Sequence, residues 1–328
     1  MLSPFERIKI PPKVEEFISN QLKSLRKIRG LNKREREIRR LNHYLNSLRV
    51  YEEFILSFPS IDDLHPFYRE SLSLIVSGDL NKVKKCLASI WNAVKIARSL
   101  LIKYINQIKY AVQQDPNILM RQGFGRASSV LRSVRNCIDW LVEVSKKTKQ
   151  LKAIDPNLPI IIVSGPPNVG KSTLVSRIST AKPEIAHYPF TTKEIHVGHI
   201  KISDDILVQV IDTPGLLDRP MQERNIIEKK AINALSNLRG VIIFMIDVSK
   251  NSFYSSQEQI NLLKEILNLN KPTIICLNKI DNIDEILYQE IAIKLRELRL
   301  NWFEISAEMK IGLDQVLKEA LKLLGIVN

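Results

Sequence analysis

The stretch "IIIVSGPPNVGKSTLVSRIS", residues 160–179, constrains this chain more than any other. A run of Ile and Val enters, glycines stand five apart, Lys-Ser follows, and an amphipathic segment leaves. The entering run predicts a buried strand and the leaving run a helix. The loop between them is G-x-x-x-x-G-K-[ST], whose glycines let backbone N–H groups face phosphate oxygens with no side chain in the way. Gly165, Pro166, Pro167, Asn168, Val169, Gly170, Lys171, Ser172 and Thr173 therefore form the expected phosphate cradle. Lys171 is placed to reach the β- and γ-phosphates, and the Ser172 hydroxyl to ligate Mg²⁺.

The rest of the second half fits that start. "IHVGHI", "ILVQVID", "GVIIFMID", "TIICLNK" and "WFEIS" are short Val/Ile-rich runs separated by helical segments. The alternation predicts a mostly parallel sheet with helices on both faces. Asp212 ends one such run and opens "DTPG". Its carboxylate can hold the magnesium through water, and Gly215 can turn its N–H to a γ-phosphate. "NKID" (278–281) ends another run. Asp281 can accept from the ring N–H and exocyclic amine of guanine, a donor pair that adenine lacks. Lys279 can cover the base with its stem, and Asn278 can tie this loop to the phosphate loop. In "SAE" (306–308), Ser306 and Ala307 border the same base, with the Ala307 N–H directed at the guanine oxygen. Between the two phosphate loops, "YPFTT" offers a threonine for Mg²⁺ and the γ-phosphate. Thr192 is preferred, with Thr191 as the alternative.

The first half differs in kind. Residues 1–155 carry 29 Lys and Arg against 15 Asp and Glu, whereas residues 156–328 carry 20 of each, so the whole net charge of +14 lies in the first half. Only four of the 11 glycines are there, and apolar residues recur at three- and four-residue spacing. The pattern predicts an antiparallel helical bundle over 1–155, a linker at "DPNLP", and a P-loop domain over 156–328. "LNHYLNSLRVYEEFILSF" reads as one helix, as does "RASSVLRSVRNCIDWLVEVSKKTKQLKAI". The densest basic run, 23–40, has nine Lys and Arg against Glu35 and Glu37, and helical spacing lays them along a strip. Such a strip suits RNA phosphates, and a solvated face is its plain alternative. "RQGFGRASSV" allows either Phe124 stacking on a base or an interhelical turn with a buried Phe.

No apolar run is long enough to span a bilayer, and the first residues lack the apolar core of a secretion signal. Cys86, Cys137 and Cys276 are scattered and odd in number, with neither a metal spacing nor a disulfide framework. A reducing cytoplasm is the expected setting.

Taken together, "SPFERIKIPP", "FPSIDDLHPFYRE", "GFGRASSV", "AKPEIAHYPFTTKEIHVGH" and "DTPGLLDRPMQERNIIEKKAINAL" resemble the nucleolar GTP-binding protein 1 (NOG) family, within the Obg-type translation-factor-related GTPases. The likeness covers nearly the whole chain, which ends one helix after "SAE" in the manner of the short archaeal form. It implies the large ribosomal subunit precursor and its rRNA as partner; GTP and GDP are the ligands expected from the loops, and a monomeric switch with no membrane partner is the expected form. A GTPase of mature ribosomes or tRNA, or a structural rRNA placeholder, are the rivals.

One position departs from many GTPases. After Gly215 stands Leu216, where a glutamine would orient the attacking water. Slow hydrolysis, a catalytic group from a partner, or a K⁺ ion held with the help of Asn168 are the three readings. Lys171, Thr192, Asn168 and Gly215 are thus the expected catalytic set. Arg219 and Arg224 are candidate partner contacts, with an exposed, solvated role as the favoured alternative.

Overall fold

The computed structural model describes residues 3–110, 114–180, 183–187, 194–204, 206–212, 217, 232 and 237–327. The chain divides into two compact units. One comprises Pro4–Asp63 and Ile75–Lys149. The other gathers Leu64–Leu74 with Gln150–Asn328. By contacts, one helical segment of the first half, Leu64–Leu74, groups with the sheet-bearing unit.

The first unit is helical. α1 (Val14–Lys27) follows two prolines, has Glu15 and Glu16 in its first turn, and has Arg26 and Lys27 in its last. Those charges complement the helix dipole at each end. The Val14 N–H is capped by Asp139 at 3.2 Å. α2 (Lys33–Ser47) starts at Asn32, whose side chain accepts from the Glu35 N–H at 2.8 Å, while the Leu31 N–H donates to the Glu35 carboxylate at 2.9 Å. This reciprocal cap, with Gly30 beside it, breaks the basic run at residues 28–32. The run is two helices, not one strip. α3 (Arg49–Ser57) follows directly, so "LNHYLNSLRVYEEFILSF" is also two helices, parted at Leu48.

α4 (Pro66–Ile75) lies almost wholly in the second unit. α5 (Leu80–Tyr110) buries Val83, Cys86, Ile90, Val94, Ala97, Leu101, Ile105 and Ile108, the stripe its spacing predicts. α6 (Pro116–Ser133) and α7 (Arg135–Thr148) meet at Val134. The break falls there rather than at "GFG", which is helix interior. A Cβ on Gly123 would lie 2.9 Å from the Tyr104 side chain, so glycine permits the close packing of α5 and α6. Phe124 is buried against Tyr44, with ring centroids 4.5 Å apart, and is not free to stack. Tyr44, Tyr51, Phe5 and Phe54 are fully buried, each adding about 1.5–3 kcal/mol over exposure. The Tyr44 hydroxyl bonds Ser128 Oγ at 3.0 Å. Cys86 of α5 and Cys137 of α7 form a disulfide, with Cα atoms 5.1 Å apart. The sequence spacing had offered no framework because the pairing depends on two helix faces meeting.

The second unit is a seven-stranded sheet in the order β2-β3-β4-β1-β5-β6-β7. Its strands are β1 (Ile160–Ser164), β2 (Glu184–His187), β3 (Glu194–Lys201), β4 (Leu207–Asp212), β5 (Gly240–Asp247), β6 (Thr273–Asn278) and β7 (Trp302–Ile305). β4, β1, β5, β6 and β7 run parallel, while β2 and β3 are antiparallel additions at one edge. β2 escaped the sequence reading because "EIAH" is four residues long and has no Val/Ile run. β1 is buried along its length, as a strand central to a parallel sheet must be. α8 (Lys171–Ile178), α9 (Ser256–Leu267), α10 (Glu285–Glu297) and α11 (Leu313–Leu323) complete the described helices. Within this unit the Tyr68 hydroxyl of α4 donates to the Ile154 carbonyl at 3.0 Å, and the Asn237 amide donates to Glu70 at 3.0 Å. Those bonds show why α4 groups with the sheet. No described helix is long and apolar enough to cross a membrane.

Candidate guanine-nucleotide site

The site is assembled from the C-terminal ends of the parallel strands, where an α/β sheet places its ligand loops. β1 ends at Ser164, and the phosphate loop runs from Gly165 to Gly170. Gly165 has φ +141°, and a Cβ there would lie 2.4 Å from the Met245 carbonyl oxygen. Gly170 has φ +100°, and a Cβ there would lie 2.6 Å from the Asn278 amide nitrogen. Only glycine satisfies both positions. Asn168 also adopts a left-handed conformation, φ 62°, which an asparagine tolerates. Pro166 and Val169 are buried, Pro167 is half-buried, and Asn168 is exposed.

Lys171 opens α8 and is buried at 7% exposure. Its ammonium curls back to donate to the Gly165 and Pro166 carbonyls, at 2.9 and 2.7 Å. Ser172 follows in the same turn, and its hydroxyl donates to Asp212 at 2.5 Å. Thr173 is half-buried one residue on. Asp212 is fully buried at the end of β4. A hydroxyl and a carboxylate brought together beside a phosphate cradle form the hard oxygen donor set that Mg²⁺ prefers.

The base loop is fastened to the phosphate loop. The Asn278 amide donates to the Val169 carbonyl at 2.7 Å, and its oxygen accepts the Ala307 N–H at 2.9 Å. Lys279, left-handed at φ 69°, donates to the Asn168 carbonyl at 2.9 Å and to Asp247 at 2.6 Å. Asp281 sits exposed in a short 3₁₀ turn (Ile280–Asn282), with no hydrogen bond or ion pair among the described residues. Ser306 is fully buried and shares a pair of backbone bonds with Ile311. The Ala307 N–H, expected on the guanine oxygen, is held by Asn278 here, because a buried donor takes the nearest buried acceptor.

Asp247 went unnoticed in the sequence. It ends β5, its N–H donates to Gln259 at 2.8 Å, and its carboxylate accepts the Ser249 N–H at 2.9 Å as well as the Lys279 ammonium. Its one signal was position: an acid ending a buried strand beside the two loop-bearing ones. Leu217 is buried, and its carbonyl accepts the Ser164 hydroxyl at 2.9 Å. Thr191, Thr192, Gly215, Leu216, Arg219 and Arg224 lie outside the described residues.

Comparison with known proteins places both units. Residues 5–155 match a model described as the NOG1 N-terminal helical domain, and residues 160–279 match one described as a 50S ribosome-binding GTPase. The chain is 32% identical over 290 residues to nucleolar GTP-binding protein 1 of Drosophila melanogaster, covering 84% of this chain and 44% of that one. It is 40% identical over 229 residues to an uncharacterised protein of Methanocaldococcus jannaschii, covering 69% of this chain and 63% of the other. The Caenorhabditis elegans nucleolar GTP-binding protein 1 is 35% identical over 232 residues, 70% of this chain and 34% of that protein. The chain thus spans less than half the length of the animal relatives it matches. With a NOG1 helical domain joined to a P-loop GTPase domain, the chain belongs to the NOG1 family of GTP-binding proteins.

Proposed function

We propose that this chain is a monomeric GTPase switch that acts on precursors of the large ribosomal subunit, hydrolysing GTP slowly and meeting rRNA through its basic helical unit. The fastening of the base loop to the phosphate loop by Asn278 and Lys279 carries the nucleotide part of this reading. One rigid unit then holds both ends of a nucleotide, and purine identity is felt at the phosphates. The Asp281 carboxylate selects guanine. Lys171 exchanges its two loop carbonyls for phosphate oxygens when nucleotide enters. Ser172 and Thr192 would hold Mg²⁺, Thr191 being the alternative, and Asp212 would support it through water. Bound there, Mg²⁺ supplies neutralisation of charge on the β- and γ-phosphates. The Gly215 N–H senses the γ-phosphate. The Leu216 side chain has no polar atom to orient water, so the intrinsic rate is low and rises with K⁺ held near Asn168. The concentration of positive charge in residues 1–155, together with the match of residues 160–279 to a 50S ribosome-binding GTPase model, supports the ribosomal partner.

The base assignment is tested by Asp281→Asn with GDP and xanthosine diphosphate. Asparagine offers a donor where guanine needs an acceptor, so affinity shifts from guanine to xanthine. Undiminished GDP affinity would remove Asp281 from the base site. The rate assignment is tested by turnover in KCl against NaCl, with and without Asn168→Ala. Equal rates throughout would remove the K⁺ role.

A further inference from the structure

The helical unit contains a cavity of about 250 Å³ whose wall is formed by α1, α2 and α6. Arg26, Arg40 and Arg121 border it, and Leu25, Met120 and Phe124 supply buried apolar wall. The basic run 23–40 contributes two of these arginines from two different helices. The break at residues 28–32, made by Gly30 and the Asn32 cap, is what allows α1 and α2 to bring them to one cavity.

The three guanidinium groups are not spent alike. Arg40 is tied on one side to the fully buried Glu37, at 3.1 and 3.2 Å, but its Nε is buried with no hydrogen-bond partner. Arg26 and Arg121 are exposed and have neither an ion pair nor a side-chain hydrogen bond among the described residues, although the Arg121 charge reaches the Asp115 carboxylate. A buried N–H donor left unmatched costs free energy unless a ligand accepts from it. Asn117 also borders the cavity. Its NH₂ donates to Glu37 at 3.3 Å, which leaves its oxygen as an acceptor in a lining otherwise rich in donors.

We infer that this cavity is a second nucleotide-binding site, taking a single nucleotide with its phosphate against Arg26 and Arg121 and its base on the apolar wall. An acidic peptide would use the guanidinium groups, but its carboxylates would leave the apolar wall of Leu25, Met120 and the edge of Phe124, and the Asn117 acceptor, without a role. A nucleotide uses all three: a planar apolar base, a base edge with amine donors, and a phosphate anion. Two sources carry that chemistry, a nucleotide splayed from an RNA strand and a free mononucleotide. The RNA source rests on the proposed meeting of this unit with rRNA.

The test uses the full chain with one equivalent of a GTP analogue, enough to fill the first site alone. Its probes are a labelled single-stranded RNA carrying 4-thiouridine, and AMP, which the guanine-selective site does not take. The RNA source predicts that Arg26→Gln and Arg121→Gln each weaken RNA binding by about tenfold, the loss of one charge-assisted hydrogen bond. Lys146→Gln removes the same charge from a paired surface site, and the loss there is expected to be less than about twofold. Photo-crosslinks are expected within residues 117–124. Equal losses in all three variants, with crosslinks elsewhere, would overturn the cavity and leave the rRNA reading standing. AMP binding that Arg121→Gln abolishes, without RNA binding, would keep the cavity, name the free nucleotide as its source, and overturn the rRNA reading. Binding of neither probe, or displacement of both by an acidic peptide that binds in their place, would overturn the second site.

Discussion

Lys171 and Arg121 are both cations that this account sets against phosphate, and the molecule holds them in opposite ways. Lys171 is buried, with its ammonium already satisfied by two loop carbonyls. Arg121 is exposed and unpaired among the described residues. The same contrast runs through the two units. Around the phosphate loop, Asp212, Asp247 and Asn278 are buried and joined to neighbours by short bonds. On the helices, positive charge stands mostly in solvent. A site built on buried, mutually restrained groups discriminates one ligand by geometry. A surface built on exposed charge gathers polyanions by counterion release and reads little. Substitutions should therefore act through shape in one unit and through charge in the other.

The largest expected effect breaks the first half of that contrast. Gly170→Ala places a Cβ against the Asn278 amide at a backbone angle that L-residues avoid. Nucleotide affinity is expected to fall by more than about a hundredfold, as the loop can no longer seat Asn278. Affinity within a few-fold of the parent would show that the fastening does not shape the site. Next comes Asn278→Ala, which strands the Val169 carbonyl and the Ala307 N–H. Two buried unmatched groups cost about 2–4 kcal/mol in denaturant melts, with a parallel loss of GDP affinity.

The helical unit offers a buried polar pair to compare, Tyr44 with Ser128. Tyr44→Phe removes its bond to Ser128 and should cost about 1–2 kcal/mol. Burial also pushes the Tyr44 hydroxyl up to about 12 from the usual tyrosine value. The unfolded chain loses that proton first as pH rises. Stability is therefore whole below about pH 10 and falls through about pH 12, a slope that Tyr44→Phe should flatten. The smallest effect is expected at Arg132, paired at the surface with Glu15 at 2.9 Å. Arg132→Ala should leave the unfolding midpoint unchanged within error, and the pair should matter less as salt rises. A clear loss there would mean that exposed charge does hold the helical unit together.

The two regions also differed in how far sequence alone revealed them. Phosphate and base loops are tied to strand ends, so spacing along the chain becomes position in space, and the residues that Asn278 and Lys279 bring together could be named from "GKS" and "NKID". The role of Asp247 was harder to see, because it depends on a strand pairing that no local motif records. Among the helices, an Asn32–Glu35 cap was written in the sequence, yet the run of basic residues around it read as one strip. The Cys86–Cys137 bond, the seat of Phe124 against Tyr44 and the cavity shared by three helices all depend on which faces meet. Period and composition do not fix that choice. α4 is the same lesson at larger scale: "PFYRESLSLI" is plainly a helix, but Tyr68 and Glu70 bond to Ile154 and Asn237, beyond the reach of any local signal.

The most direct test of the central claim is co-sedimentation of the full chain with large-subunit precursors in KCl, with a GTP analogue, GDP or no nucleotide, beside Lys171→Ala. The account predicts co-migration that is strongest with the GTP analogue and that loses its nucleotide dependence in Lys171→Ala while the helical unit remains folded. Co-migration equal in all three nucleotide states would contradict the switch and leave a placeholder on rRNA, and no co-migration in any state would remove the ribosome as the partner.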